Sequence, residues 1–306
     1  MRVILYFIVF FNFVVLDENK KINKIPQLGE KKLTLDLDIE NLFNFNTVHD
    51  TVLTELNLKE IMNKAKAFKP SSITKDDFVL METSFGEIKI KLYHEYAPNH
   101  CINFKKLCNS GFYDKTLFHR IVPGFILQGG DLLTRDSEVN NDGMGNPGWT
   151  VAAEFNNIKH KKGILSMARG ENINSAGSQF FICLGNAKHL DGKYTAFGEI
   201  SEGFDVLDLI SKVPTEFKQI MKLAKEKIPN NEDANNWIEF SLNKKVYYFR
   251  VPLGIDKNLY YNDVENRINN KSRPHVPITI QKVRVLNKNN QKLNSKPDLK
   301  KHIYDN

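Results

Sequence analysis

Hydrophobic and charged residues alternate directly after residue 77, a pattern that predicts a β-hairpin with one buried face. The first arm covers residues 78–82, and in the second arm Ile88, Ile90 and Leu92 are separated by lysines. Residues 84–86 lie between the arms and end in a glycine, which suits a turn. We therefore expect two antiparallel strands that lie against a core.

A helical period replaces the alternation after Pro98, a residue that fits the first turn of a helix. Gly111 stands where a helix C-cap would be. The apolar stripe between them consists of Cys101, Phe104, Leu107 and Cys108. Because both cysteines lie on this stripe, we interpret them as core residues rather than redox groups.

Short apolar runs bounded by Gly and Asp follow, over residues 117–122, 125–128, 164–168, 179–184 and 195–200. A second helix is predicted after them, with Val206, Leu209 and Ile210 facing inward and an end at Pro214. Many short strands with two separated helices are typical of a mainly β fold. We expect a closed, or nearly closed, antiparallel barrel that is capped by the helices.

The ends of the chain differ from this middle part. Residues 1–16 are a nearly unbroken apolar run, shorter than the roughly 20 residues of a membrane span and closer to a signal-peptide core. No small-x-small cleavage site follows, so the run could remain as a membrane anchor, and a buried N-terminal strand or helix is the alternative. We expect the secretory pathway or a membrane-bound organelle, and the cytosol if the run is not a signal.

Composition and charge exclude several classes of protein. Three cysteines cannot form a disulfide scaffold, and the chain has no CxxC pair or zinc-type spacing, so we expect no metal site. Residues 17–75 fit a polar leader or linker, and residues 287–306 a basic tail. Residues 214–306 carry 18 Lys and Arg against 10 Asp and Glu, whereas residues 77–213 carry 14 against 16. A basic tail is more often solvated than bound to nucleic acid, so we expect no nucleic-acid partner.

Three sequence blocks point to one family. The first is FHRIVPGFILQGGD at 118–131, the second combines GILSMA at 163–168 with GSQFFIC at 177–183, and the third is LDGKYTAFG at 190–198. Together they resemble the cyclophilins, which are peptidyl-prolyl cis–trans isomerases. The resemblance covers residues 77–214 and resumes at 273–286, and it implies an eight-stranded antiparallel barrel with a helix at each end.

The residue types suit that reaction. Rotation about an X–Pro bond crosses a barrier of about 20 kcal/mol without breaking a bond, so it requires no nucleophile, metal or cofactor. The twisted prolyl nitrogen regains a lone pair, and a donor placed there binds the transition state better than the planar amide. Arg120, which occupies the family's catalytic arginine position, is the predicted donor.

The resemblance assigns further roles around Arg120. Gln128 is a polar residue in an apolar run, so its amide needs hydrogen-bond partners, either substrate or an internal loop. His119 belongs to the family's catalytic region, although strand alternation turns it to the opposite face of the sheet. The predicted substrate-binding residues line the proline pocket, meet the residue before proline or support the arginine: Phe125, Ile126, Phe181, Leu190, Ala168, Arg169, Gln179, His189 and Tyr194.

The chain departs from many eukaryotic cyclophilins at several of these positions. His189 replaces a tryptophan that hydrogen-bonds cyclosporin, Tyr194 replaces a site histidine and Arg169 an asparagine. These features are typical of the bacterial-type branch, and we expect cyclosporin to bind weakly. We expect proline-containing polypeptide clients and a monomer. The alternative to an enzyme is a scaffold or chaperone that binds proline segments with little turnover.

Residues 216–272 interrupt the family pattern before the last strand. They contain a helical pattern from Phe217 to Ala224 and two aromatic runs at 237–240 and 246–251. This apolar content predicts an insertion that is at least partly folded rather than a flexible loop. Its role is either to dock a partner or to pack against the barrel.

Overall fold

The computed structural model describes residues 54–136 and 138–289, so the predictions for residues 1–16, 17–53 and 290–306 lie outside it. It contains eleven strands: β1 (Asp77–Thr83), β2 (Gly86–Leu92), β3 (Thr116–Leu117), β4 (Arg120–Val122), β5 (Ile126–Gly129), β6 (Ile164–Met167), β7 (Phe180–Cys183), β8 (Ala196–Glu202), β9 (Trp237–Leu242), β10 (Lys245–Arg250) and β11 (Thr279–Asn287). The fold is therefore mainly β, as predicted.

Nine of the strands form one curled antiparallel sheet in the order β3-β11-β1-β2-β8-β6-β7-β5-β4. The expected closed barrel of eight strands is wrong, because within the described ranges no ladder joins β3 to β4. The predicted strand 117–122 splits at Phe118 and His119, so that β3 and β4 become opposite edges of the sheet. The segment that precedes β11 accepts hydrogen bonds on both sides of this break. Phe118 N–H donates to the carbonyl oxygen of Ile278, and Ile121 N–H donates to that of Ser272. The result is a half-barrel.

Five α-helices accompany the sheet in the described part of the chain: α1 (Glu55–Ala67), α2 (Pro98–Ser110), α3 (Phe204–Ser211), α4 (Glu216–Met221) and α5 (Lys257–Asn269). Helices α2 and α3 are the two that the apolar periods predicted beside the sheet. Gly111 ends α2 with φ of +80°, as its position predicted. In α3 the prediction for Leu209 is wrong. Val206, Leu207 and Ile210 form the buried arc and Leu209 remains 52% exposed at its edge.

Strand alternation gives the sheet two faces with separate apolar clusters. The inner face belongs to the main core, which α2 covers through Phe104 and its edge-to-face contact with Phe180 at 5.3 Å between ring centroids. The inner-face residues of four neighbouring strands are Ile121, Leu127, Leu165, Phe180 and Ile182. The outer face of the same strands carries Arg120, Ile126, Gln128 and Phe181. The residues predicted to act on substrate therefore project away from the main core.

Residues 216–272 form α4, the β9–β10 hairpin and α5 around an apolar cluster of their own. The helix and two strands were predicted, whereas α5 was not. Its sequence is mostly polar, and only Tyr260, Val264 and Ile268 are buried, one per turn along one stripe. Glu216 joins the two ends of the segment, since its Oε2 accepts from Arg267 at 2.9 Å and lies 3.0 Å from His275 Nδ1.

Residues 54–136 and 138–289 include no helix with the length and apolarity that a bilayer crossing requires.

Three buried histidines give the stability a predicted dependence on pH. Burial lowers the pKa values of His100, His119 and His160. Nearby carboxylates oppose this effect in each case. An unfolded histidine titrates near 6.5, so the unfolded chain binds more protons as the pH falls below about 6.5. We expect the free energy of unfolding to decrease from pH 7.5 to 5.5, by at most about 1.4 kcal/mol per pH unit for each histidine. Urea unfolding at several pH values measures this.

His100→Gln is the matched variant, because a glutamine amide still donates to Glu154, which lies 2.6 Å from His100 Nδ1. It should flatten the pH dependence, whereas His94→Gln, at a half-buried position outside the core, should leave it unchanged. An identical slope for wild type and His100→Gln would contradict the assignment.

Candidate active site

Arg120 and Gln128 lie directly opposite each other on β4 and β5, on the outer face of the sheet. A tight turn at residues 123–124 connects the strands, with Gly124 at φ of +72° and Phe125 N–H donating to Val122. This register brings Arg120 Nη1 to 3.2 Å from Gln128 Oε1, to which it donates. The guanidinium is half-buried at the edge of the sheet.

A chain of amides fixes the orientation of Gln128. Gln179 Nε2 donates to the carbonyl oxygens of Gly143 at 2.8 Å and Gly145 at 2.9 Å, which leaves its Oε1 to accept from Gln128 Nε2 at 3.0 Å. Gln128 must then present its oxygen to Arg120. The sequence predicted either substrate or an internal loop as the partner of Gln128. In the structure Gln128 contacts the side chains of Arg120 and Gln179, and Gln179 links it to the loop at residues 143–145.

In the part of the chain that the structure describes, no neighbouring acid neutralises the charge of Arg120. Burial lowers its pKa and the nearby Tyr194 raises it, and among the described residues no carboxylate contributes to this shift. An arginine stays protonated in such surroundings. The site therefore presents an uncompensated cation with free N–H groups.

Four residues predicted to hold the proline ring belong to one apolar cluster that is distinct from the main core. Ile126, Phe181 and Leu190 are buried and Phe125 is half-buried. Their neighbours in this outer cluster include Ala168 and Tyr194, which complete a wall beside the strands. Phe181 and Tyr194 meet edge to face, with 5.8 Å between ring centroids. These side chains therefore lie outside the main core, in the cluster of the outer face.

An open cavity of about 660 Å³ is lined by Gln128, Ala168, Arg169 and Gln179 among others, and it meets the outer cluster at Ala168. Arg120 and the four residues predicted to hold the proline ring do not line this cavity. Arg169 does not reach into it as a free cation. Its guanidinium stacks over the Tyr194 ring at 4.7 Å and donates to the carbonyl oxygens of Lys193 and Gly170. Arg169 therefore holds its own loop to the third sequence block.

Two predicted site histidines occupy different surroundings. His189 is exposed on a short 3-10 helix, Lys188–Leu190, and its ring lies 5.1 Å from that of Phe125. His119 faces the interior, 9% exposed, and neither ring nitrogen has a hydrogen-bond partner among residues 54–136 and 138–289. His119 thus adjoins Arg120 in the chain but not on the face that carries the arginine.

A buried network behind Phe181 has the composition of a hydrolytic triad. His160 Nδ1 lies 3.1 Å from Asp191 Oδ1, and its Nε2 lies 3.0 Å from Ser166 Oγ. The serine is fully buried and its hydroxyl donates to the Thr195 carbonyl, so no substrate can reach it. The His160 ring stacks on Phe181 at 24° and 6.1 Å, and the network serves as support for that side of the outer cluster.

Sequence reasoning overlooked Asp131 and the two glycines, Gly143 and Gly145, that anchor the amide chain. Asp131 ends the first sequence block and was read there only as part of the motif. The available signal was the short G-x-G spacing at 143–145.

Comparison with known proteins agrees with these motifs. A family model described as cyclophilin type peptidyl-prolyl cis–trans isomerase/CLD matches residues 78–229. A peptidyl-prolyl cis–trans isomerase of Arabidopsis thaliana is 41% identical over 145 residues, which cover 45% of this chain and 84% of that protein. Peptidyl-prolyl cis-trans isomerase-like 1 of Neurospora crassa is 37% identical over 167 residues, covering 51% and 96%.

A solved cyclophilin-type isomerase of Cryptosporidium parvum, crystallised in the presence of the dipeptide Ala-Pro, is 26% identical with a TM-score of 0.47, over 68% of this chain and 98% of that one. The family model and the curated relatives decide the assignment, since one relative is matched over nearly its whole length at well above 30% identity. This chain belongs to the cyclophilin-type peptidyl-prolyl cis–trans isomerases.

Proposed function

We propose that the protein catalyses X–Pro bond rotation in client polypeptides by a non-covalent mechanism in which Arg120 stabilises the twisted imide. The observation that carries the proposal is the uncompensated guanidinium beside the outer apolar cluster, held by Gln128 at 3.2 Å. A proline ring in that cluster would bring its nitrogen toward the remaining N–H groups of Arg120.

The energetics limit what Arg120 contributes. A charge-assisted hydrogen bond formed preferentially in the transition state supplies about 1.5–3 kcal/mol. The rest of the barrier reduction comes from removing water around the amide and from orienting the peptide. Phe125, Ile126, Phe181 and Leu190 would supply both, because they form an apolar surface that excludes water beside the charge.

The other predicted residues have secondary roles in this proposal. Since the Arg169 guanidinium is engaged with its own loop, residues 168–169 would meet the residue before proline through their backbone. Gln179 would orient Gln128, and His119 would act from behind the strand through packing rather than by touching substrate.

An isomerisation assay with a proline tetrapeptide tests the proposal. An active enzyme should accelerate the exchange, which takes tens to hundreds of seconds unaided. The alternative function, a proline-binding scaffold, predicts peptide binding with a rate close to the uncatalysed one. Peptide affinity measured beside the rate separates the two functions.

We also propose that the domain has bacterial-type inhibitor selectivity, because His189 occupies the position of the cyclosporin-bonding tryptophan. Wild type should be inhibited weakly. His189→Trp restores an indole N–H beside Phe125 and should lower the half-maximal concentration about 2- to 10-fold, the effect of one ordinary hydrogen bond. Titration of cyclosporin in the tetrapeptide assay measures both values.

His189→Gln serves as control, since it changes the histidine without adding an indole. Low-nanomolar inhibition of the wild type would refute this selectivity.

We propose, further, that residues 1–16 act as a signal peptide or membrane anchor and that residues 17–75 act as a leader or linker. Residues 216–272 would be an insertion into a domain spanning 76–286. The protein would then meet its clients as a monomer in the secretory pathway or a membrane-bound organelle. A diffuse cytosolic signal from a fluorescent fusion of residues 1–30 would overturn the targeting proposal, and size-exclusion chromatography tests the monomer.

A further inference from the structure

Asp131 is a fully buried carboxylate at the end of the first sequence block. It is satisfied by backbone donors: Oδ1 accepts from Leu133 at 2.8 Å, and Oδ2 accepts from Gly143 at 2.5 Å and from Gly145 at 3.1 Å. These three backbone donors satisfy both carboxylate oxygens of the buried side chain. The side chain thus joins the end of β5 to a loop twelve residues further along the chain.

The loop at 143–145 is shaped around this carboxylate. A Cβ atom at position 145 would collide with Asp131 Oδ1, and Gly143 has φ of +91°. Both positions therefore require glycine for a specific reason, close approach at one and a left-handed backbone at the other. Asp131 determines where the two peptide units lie.

The same two residues anchor the amide chain of the candidate active site. Their N–H groups point to Asp131, and their carbonyl oxygens accept from Gln179 Nε2 at 2.8 and 2.9 Å. From Gln179 the hydrogen bonds continue to Gln128 and then to Arg120. A continuous series of contacts thus connects a buried acid to the guanidinium on the opposite face of the sheet.

We propose that Asp131 is a positioning residue for the isomerisation, acting through the direction of these hydrogen bonds; the inference rests on the proposed role of Arg120. With the loop in place, Gln179 has its NH₂ directed at two carbonyls and its oxygen at Gln128, so Gln128 presents its own oxygen to Arg120. Without the loop, both amides are free to rotate. If Gln128 rotated, its NH₂ group would face the N–H groups of Arg120. This repulsion would turn the guanidinium away from the imide.

Asp131→Asn is the primary test, because asparagine keeps the shape of the side chain but replaces one carboxylate oxygen with an NH₂ group. That group cannot accept from the backbone N–H groups that it faces. We expect kcat for a proline tetrapeptide to fall about tenfold, the effect of losing one charge-assisted contact in the transition state. The affinity for the peptide should be unchanged, because the apolar cluster is intact. Asp256→Asn is the matched control, since Asp256 also accepts two backbone N–H groups, those of Asn258 and Leu259, at the start of α5.

Gln179→Met interrupts the chain without altering Asp131, and it separates positioning from simple stabilisation. It should reduce kcat as much as Asp131→Asn does, and adding Asp131→Asn to it should cost thermal stability but no further kcat. A wild-type kcat in Gln179→Met would overturn the inference even if Asp131→Asn does not fold. Losses that multiply in a folded double variant would overturn it as well.

The role of Arg120 is tested separately. If Arg120→Ala keeps wild-type activity, the proposed role of Arg120 in the isomerisation fails. If Arg120→Ala is impaired while Asp131→Asn and Gln179→Met are not, only the positioning inference fails.

Discussion

Replacement of Arg120 by alanine is expected to slow X–Pro isomerisation about 10- to 100-fold while the fold remains intact. The range follows from the 1.5–3 kcal/mol of a charge-assisted hydrogen bond made mainly in the transition state, at about 1.4 kcal/mol per factor of ten. The folded state should lose little, because the guanidinium is half-buried, lies outside the main core and has Gln128 as its hydrogen-bond partner. The tetrapeptide assay and urea unfolding measure the two effects.

Two further variants identify the origin of the effect. Arg120→Lys keeps the charge but loses the planar fork, so its rate should lie between those of wild type and Arg120→Ala. Arg250→Ala is the matched control, because Arg250 is a largely exposed arginine paired with Glu232 in the 216–272 segment. Equal rates for wild type and Arg120→Ala would remove the proposed mechanism.

Elements with a strong local period could be predicted from the sequence. The hairpin at 77–92 and helix α2 occur where alternation and helical spacing placed them, because each buries one continuous face and has a glycine at the required turn or cap. The short apolar runs bounded by Gly and Asp located β5 to β8 within two residues.

Elements that depend on distant partners could not be predicted. Residues 117–122 have the composition of one strand, and they split because residues 272 and 278, far along the chain, accept the N–H groups beside the break. The polar sequence of α5 carries one buried residue per turn, which is too weak a period to distinguish a helix from a linker.

The candidate site was predictable to the extent that side-chain type determines chemistry. Arg120 and the four apolar residues predicted to hold the proline ring stand in the motif blocks, and in the structure they lie outside the main core. The dependence of Gln128 on Gln179, and of both on Asp131, concerns the direction of hydrogen bonds across a loop. Residue types alone do not specify that direction, because a glutamine can donate or accept at either end.

Phe249→Ala is expected to unfold the 216–272 segment and to leave the catalytic sheet folded. Phe249 is fully buried on β10 opposite Ile238, at the centre of a cluster that does not merge with the main core. Removing a buried phenylalanine ring costs about 3–5 kcal/mol. A segment of this size has a core that rarely supplies more than about 3–5 kcal/mol, so the substitution should exceed its stability.

Hydrogen exchange measures the result by region. Amides of β9, β10 and α5 should lose protection in Phe249→Ala, whereas those of β1, β2 and α2 should keep it. Leu259→Ala is the matched control, because Leu259 lies on α5 but is 67% exposed, and its loss should change stability by no more than about 0.5 kcal/mol.

The contact most at risk is the Ile121 N–H bond to Ser272 at 2.7 Å, since it links the end of the segment to the strand that carries Arg120. Retained tetrapeptide activity would show that this bond survives without the folded segment. A parallel loss of activity and protection would instead make residues 216–272 part of the catalytic unit, because the geometry of β4 would then depend on them.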